Sequence, residues 1–181
     1  SYPAEVHLTV VSSRNEPVIL PIAFDITSRK EAEEALRKSK DLFYALAEQC
    51  PVSIMYFDSQ GKVSFVNDWH IHRFAASKLE KSFFLGKRIH ELPGLVRAGV
   101  GDEVKRILSG ESIELEAVYF PRFTGGHSGW VTIRGVPIIR DGHVAGGMLV
   151  REDVTGRKMN EAALRRREKR LNHFLSVSPV I

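Results

Sequence analysis

Residues 153–165 read Asp-Val-Thr-Gly-Arg-Lys-Met-Asn-Glu-Ala-Ala-Leu-Arg, and residues 25–37 read Asp-Ile-Thr-Ser-Arg-Lys-Glu-Ala-Glu-Glu-Ala-Leu-Arg. Carried on to Ile181 and Ser53, the stretches keep a fixed offset of 128 and agree at ten of 29 positions, among them Asp25/Asp153, Thr27/Thr155, Arg29/Arg157, Leu36/Leu164 and Pro51/Pro179. So long a period does not suit a solenoid of stacked repeats; it suits whole domains in tandem, each joined to the next by a helix. The chain is therefore divided into the last strands of a preceding domain (1–27), a helical linker (28–40), a complete domain (41–155), and a helical linker leading into a following domain (156–181). Its first residue is Ser rather than Met, so it is read as a piece of something longer.

Working outward from the repeat, the linkers read as helices. Between Thr27 and Glu48 there is no Gly or Pro, helix formers dominate, and Pro51 closes the stretch. Thr27 and Thr155 stand where an N-cap belongs, each hydroxyl able to accept from an amide two or three residues on. Lys30 and Lys158 occupy the place where a capping box has Glu, so only the cap is expected. Ala32, Leu36, Ser39, Phe43 and Leu46 follow a 4-3-4-3 spacing, and Asn160, Leu164, Arg167, Leu171 and Phe174 repeat it. Either a short coiled-coil seam or an amphipathic helix lying on its own domain fits that spacing.

Between the linkers the period changes to two. Ile54–Phe57 and Val63–Val66 flank the turn sequence Asp58-Ser59-Gln60-Gly61 and predict a hairpin. Ile113, Leu115, Ala117 and Tyr119 alternate with Glu114 and Glu116 as in a half-buried strand. Thr124-Gly125-Gly126 leads into Trp130–Ile139, and Asp141-Gly142, a strong hairpin signal, into Val144–Glu152. Five strands in hairpin connection are antiparallel. The intervening Asn67–Gly110 is expected to hold short helices over Asp68–Leu79 and Asp102–Leu108, the second stopped by Gly110 and the first capped by Asn67.

Composition narrows the class further. Hydrophobic residues make up 43% of the 181, enough for a packed core and incompatible with intrinsic disorder. Cys50 is the single cysteine, so no internal disulfide can form and nothing points to an oxidising compartment; a cytosolic location is expected. No apolar run reaches a membrane span of roughly 20 residues. The net charge is +4, but Arg157–Arg170 alone holds seven basic residues against Glu161 and Glu168. The surplus therefore belongs to one helix face without interleaved aromatics, and no nucleic-acid partner is expected.

The order two strands, helices, three strands, together with Gly61–Asn67 (GKVSFVN), Arg140–Gly146 (RDGHVAG) and Asp153–Lys158 (DVTGRK), resembles a PAS domain with its trailing PAC motif. Residues 41–158 carry the resemblance in full, 1–27 resemble the last two strands of a preceding PAS domain, and 171–181 the entry to a following one. The resemblance implies an α+β fold: a five-stranded antiparallel sheet with helices over one face, enclosing a small pocket. It also implies a sensor or dimerisation module upstream of an output domain in the same parent chain, such as a histidine kinase or a diguanylate cyclase.

On that reading the pocket candidates are Met55, Phe57, Phe65, Trp69, Phe74, Leu95, Ile107, Leu115, Tyr119, Trp130 and Met148, many of which would serve as ordinary core. Asp153 and Thr155, with their counterparts Asp25 and Thr27, match the family's Asp-x-Thr signature, in which Asp ties the core to the outgoing helix and Thr caps it. Arg157, one turn on, is placed to pair with a core carboxylate or to face solvent.

Cofactor chemistry has weak support. The flavin-binding branch of the family carries its Cys in the helical region, whereas Cys50 precedes the first strand; haem-binding members use a His on the long helix, and Leu95–Leu108 has none, His90 lying just upstream. The cofactor is thus unknown, with haem or flavin not favoured. His70 and His72 would point about 200° apart on a helix and cannot share a metal unaided. Nucleophile-elbow, Walker and zinc-hydrolase motifs are absent, so the chain reads as a regulatory module and not an enzyme. Two functions remain: a sensor of a small ligand that relays a change through Asp153–Thr155, or a ligand-free spacer forming a homodimer through its linker helices or sheet face.

Overall fold

The computed structural model describes residues 3–13 and 16–177. They fall into two compact units, Ser1–Leu46 and Ala47–Ile181. In the first, β1 (Ala4–Ser13) and β2 (Glu16–Asp25) pair antiparallel from Ala4 opposite Asp25 to Ser13 opposite Glu16. Helix α1 (Thr27–Gln49) follows after a single residue, with its last turn in the second unit. Leu8, Val10 and Ile19 on the ribbon are exposed, as are Leu36 (58%) and Leu46 (63%) along α1.

The second unit is built on a five-stranded antiparallel sheet. Its strands are β3 (Ser53–Asp58), β4 (Val63–Val66), β5 (Ile113–Phe120), β6 (Gly129–Arg140) and β7 (His143–Asp153), in the spatial order β4-β3-β7-β6-β5. The β6–β7 turn places Asp141 and Gly142 both at positive φ, as the Asp-Gly pair requires for a two-residue hairpin. Short helices cross one face: α2 (Asp68–Arg73), α3 (Pro93–Arg97) and α4 (Gly101–Lys105), the last continuing as a 3₁₀ turn to Ser109. Gly110 ends it in the left-handed conformation at φ 89°. Helix α5 (Thr155–Val177) leaves from the end of β7.

Two expectations are corrected. The helix expected over Asp68–Leu79 stops at Arg73, because Ala76 and Ser77 adopt positive φ and the chain folds back. Gly125 donates to the Phe74 carbonyl there at 2.7 Å, and a Cβ on Gly125 would lie 2.7 Å from the Ala75 carbonyl carbon. Nor does the alternation of β5 run unbroken. A bulge at Ala117 (φ 49°) inserts one residue between the pairs Leu115–Ile133 and Val118–Val131, so Ile113 and Phe120 are buried while Tyr119 faces out.

The core lies between the inner sheet face and the helices: Met55, Phe57, Val63 and Val66 from β3–β4, Val131, Ile133 and Leu149 from β6–β7, and Phe74, Phe84, Ile89, Leu95, Val104 and Ile107 from above. Packing is close at the Ile107 end. A Cβ on Gly135 would come within 2.2 Å of Ile107, and one on Gly147 within 2.4 Å of Phe57. Glycine lets both strands run directly beneath these side chains.

Candidate functional site

Strand phase decides which predicted residues reach the interior. Met55, Phe57, Phe74, Leu95 and Ile107 are fully enclosed there, and Trp69 and Leu115 pack against them half-buried. Trp69 meets the Phe74 ring edge-on at 5.4 Å. Four candidates are not on this face and are withdrawn from it. Tyr119 and Trp130 pair across β5–β6 on the outer side, their rings 5.1 Å apart. Phe65 is opposite Tyr56, with rings 5.9 Å apart, and Met148 is opposite Tyr56 and Val136. Each is out of phase with a buried neighbour: Phe120 beside Tyr119, Val131 beside Trp130, Val66 beside Phe65 and Leu149 beside Met148.

Asn67 is the first polar anchor. Its Oδ1 accepts from the amides of Ile54 (3.0 Å) and His70 (3.3 Å), the second being the cap of α2, while Nδ2 donates to the carbonyls of Ala47 and Val52. A fully buried amide thus has every bond satisfied and stitches the end of α1, β3 and α2 together. Beside it, Lys81 reaches Glu48 at 2.6 Å and Asp68 at 2.9 Å, and Glu48 also accepts the Asp68 amide. Partial burial works against the Lys81 charge, but the two carboxylates outweigh it and raise its pKa.

The exit joint is the second. Val154 donates to the Trp130 carbonyl, Asp153 Oδ1 accepts the Thr155 amide at 2.8 Å, and Thr155 Oγ1 accepts the Trp130 amide at 2.9 Å. The helix is therefore capped by the aspartate, and the threonine hydroxyl serves the neighbouring strand, a reversal of the expected role of Thr155 as the cap. Arg73, at the end of α2, donates to Asp153 Oδ2. Arg157 is exposed, and the carboxylate of Asp153 is held by Arg73. Burial raises the Asp153 carboxyl, but bonds from Thr155 and Arg73 outweigh it and leave it below the ordinary range.

A third polar group escaped the sequence reading. His70 on α2, Ser53 on β3 and Arg151 on β7 are all buried. Arg151 Nη2 lies 2.6 Å from His70 Nδ1, Ser53 Oγ lies 2.8 Å from the same nitrogen, and Met55 Sδ is 3.6 Å from Nη2. Arginine can only donate, so Nδ1 is the acceptor and the neutral ring carries its proton on Nε2. Burial, with the Arg151 charge adding, holds the His70 pKa well below the histidine range. Burial also pushes the Arg151 guanidinium down to about 9, which leaves it cationic at neutral pH. The signal was present in β7, where Arg151 shares the inward phase of Gly147 and Leu149; a charged residue in that phase marks a buried polar group.

His90 is mostly enclosed, beside Gly61 and near Glu91, with a buried Nδ1 that has no hydrogen bond. Among the described residues no cluster of three His, Cys, Asp or Glu could hold a metal ion, and no helix is long and apolar enough to cross a membrane.

An antiparallel β4-β3-β7-β6-β5 sheet roofed on one face by short helices, with an exit helix tied to its central strand, defines a class of small regulatory domains. A family profile described as the PAS fold matches residues 47–159, more than half of the chain, which belongs to that family of signalling sensor modules. Solved structures agree in fold. The PAS domain of an HTR-like protein from Haloarcula marismortui is 21% identical, covering 68% of this chain and 98% of its own, at a TM-score of 0.50. That of BvgS from Bordetella pertussis is 19% identical over 74% and 98%, at 0.51. An RNA-binding light-oxygen-voltage receptor is 15% identical over 93% of this chain and 44% of its own, at 0.56. No curated protein matches the chain.

Proposed function

We propose that residues 41–155 form a sensor of a small ligand held between the sheet and its helices, which relays a change of conformation through the Asp153–Thr155 joint to α5. The observation that carries this reading is the double engagement of Asp153. One carboxylate, at the end of a central strand, holds both the last residue of α2 and the first turn of α5. A shift of α2 over the sheet would strain or release the bond that starts the outgoing helix, and a ligand that prefers one arrangement would shift the balance between them. The Asp25–Thr27 joint supports a tandem arrangement, with residues 1–27 closing a preceding domain of the same kind and the PAC-like segment as the recurring connector. An output domain of histidine kinase or diguanylate cyclase type would follow in the parent chain.

Amide hydrogen exchange tests the relay. Phe74→Leu, which loosens α2 without touching the joint, should change exchange in the first turns of α5, and Asp153→Asn should abolish that change. The same response in both backgrounds would remove the joint from the path.

A second reading, a ligand-free spacer that dimerises, is favoured by the exposed line Leu36, Phe43 and Leu46 on α1 and by Leu164 and Leu171 on α5. Light scattering should then show a dimer that Leu36→Glu with Leu164→Glu dissociates. A monomer at every concentration would dismiss this reading.

A further inference from the structure

The buried trio Ser53–His70–Arg151 has more donors than acceptors. Two groups, the Arg151 Nη2–H and the Ser53 hydroxyl, converge on the single lone pair of His70 Nδ1. The Arg151 Nε–H meanwhile has no acceptor at all, although it is sealed from solvent. The remaining neighbours are a thioether and a ring face: Met55 Sδ at 3.6 Å and the Phe74 ring centroid 4.9 Å from the guanidinium carbon. Among the described residues, no carboxylate pairs with Arg151. A cation enclosed without a counter-charge or a full set of hydrogen bonds is among the least favourable arrangements a core can hold. The cluster lacks acceptors for two donors, and it lacks a negative charge.

Resting on the sensor reading above, we propose that Arg151 forms the anchor of a site for a small monocarboxylate, which docks side-on across Nε–H and Nη2 beneath α2. The planar fork of a guanidinium matches a carboxylate in two parallel bonds. One negative charge is what the site asks for: His70 is neutral, so Arg151 contributes the only charge, and a dianion such as phosphate would leave an excess buried. Ser53, opposite Arg151 across β3–β7, makes the exchange complete. When the carboxylate takes Nη2, the Ser53 hydroxyl keeps His70 Nδ1 to itself, and both donors left short in the trio gain an acceptor. His70 lies on α2, which Phe74 caps after Arg73, so releasing Arg151 from His70 frees the element that also holds Asp153.

The test follows the Arg151 Nε–H by nitrogen-15 NMR of the whole chain during titration with sodium acetate against sodium chloride at matched ionic strength. Acetate should shift that resonance saturably and raise the thermal midpoint, and chloride should do neither. Arg151→Met, which removes the buried charge and keeps an apolar stem, should fold and lose the acetate effect; Arg151→Lys, which keeps the charge without the fork, should bind at least about tenfold more weakly. An unmoved Nε–H signal, or an acetate effect equal in wild type and Arg151→Met, would overturn the proposal and leave a buried water as the acceptor. A parallel titration with benzyl alcohol separates the two levels. A response to the neutral probe alone keeps the sensor and discards the carboxylate; a response to neither discards both.

Discussion

The joint at Asp25–Thr27 and the joint at Asp153–Thr155 are two copies of one device in different surroundings. Each helix starts the same way: Thr27 and Thr155 give their amides to the preceding aspartate at 2.9 and 2.8 Å. Ile26 and Val154 bond back to the neighbouring strand at Pro3 and Trp130, and Lys30 and Lys158 close the first turn at 3.0 Å. The threonine hydroxyls differ. Thr155 Oγ1 accepts the Trp130 amide, whereas Pro3 stands in the equivalent place and has no N–H to give Thr27 Oγ1, which donates to Asp25 at 2.6 Å. Asp25 is exposed, whereas the Asp153 side chain is only 6% accessible and engaged by Arg73. The strand-to-helix turn is thus made by near neighbours in both copies, whereas the tie of Asp153 to the core comes from Arg73, 80 residues away.

If that distinction is right, changes on the core side should dwarf those in the exposed copy. The largest effect is expected at Asn67. Asn67→Ala strands the Ala47 and Val52 carbonyls and the Ile54 amide and should cost about 3 kcal/mol or more in urea unfolding of Ala47–Ile181.

Acidification separates the copies next. An unfolded histidine takes up its proton as pH falls through about 6.5, while buried His70 stays neutral well below that. The unfolded chain then binds more protons, so stability falls below about pH 6.5, by up to about 1.4 kcal/mol per pH unit. His70→Gln, which keeps an acceptor for Arg151, should flatten that slope. The depressed carboxyls of Asp25 and Asp153 contribute above about pH 3.9 and lose their effect only in stronger acid, so the loss that begins near pH 6.5 belongs to His70.

Asp153→Ala should follow, at about 2 kcal/mol, because it strands the Thr155 amide and breaks the tie to Arg73. Asp25→Ala should leave the unfolding midpoint of the second unit where it was. Equal effects from the two would show that the joint needs no core. Smallest is the threonine pair. Thr155→Val should cost about 1 kcal/mol through the lost acceptor for Trp130, and Thr27→Val should cost less; introducing Pro3→Ala should offer Thr27 a new amide and protect it from exchange.

Hairpins, linker helices and the repeated joint were legible because each is written within a few residues: Asp-Gly at a turn, alternation in a strand, Asp-x-Thr before a run of helix formers. The inward placing of Met55, Phe57 and Leu115 and the cap by Asn67 were legible for the same reason, since strand phase and the start of a helix are local. The misses have equally specific causes. Tyr119 went to the outer face because one extra residue at Ala117 reverses the phase of β5, and Trp130 went with it as its cross-strand partner. The helix expected to run to Leu79 ended early because Gly125, about fifty residues on, packs against Ala75 and Ala76.

By itself, the sequence determined a five-stranded antiparallel sheet with an inserted helical segment, a helix leaving its last strand, and a second copy of that exit. Those features depend on backbone preference and on burying one side of each element, both set by near neighbours. Tertiary structure alone decided that Arg73 holds Asp153, 80 residues away, and that Arg151 meets His70, 81 residues away, in a place closed to water. No local pattern records such pairs, because their energy arises only when folding brings the two groups together and removes the solvent that each would otherwise bind.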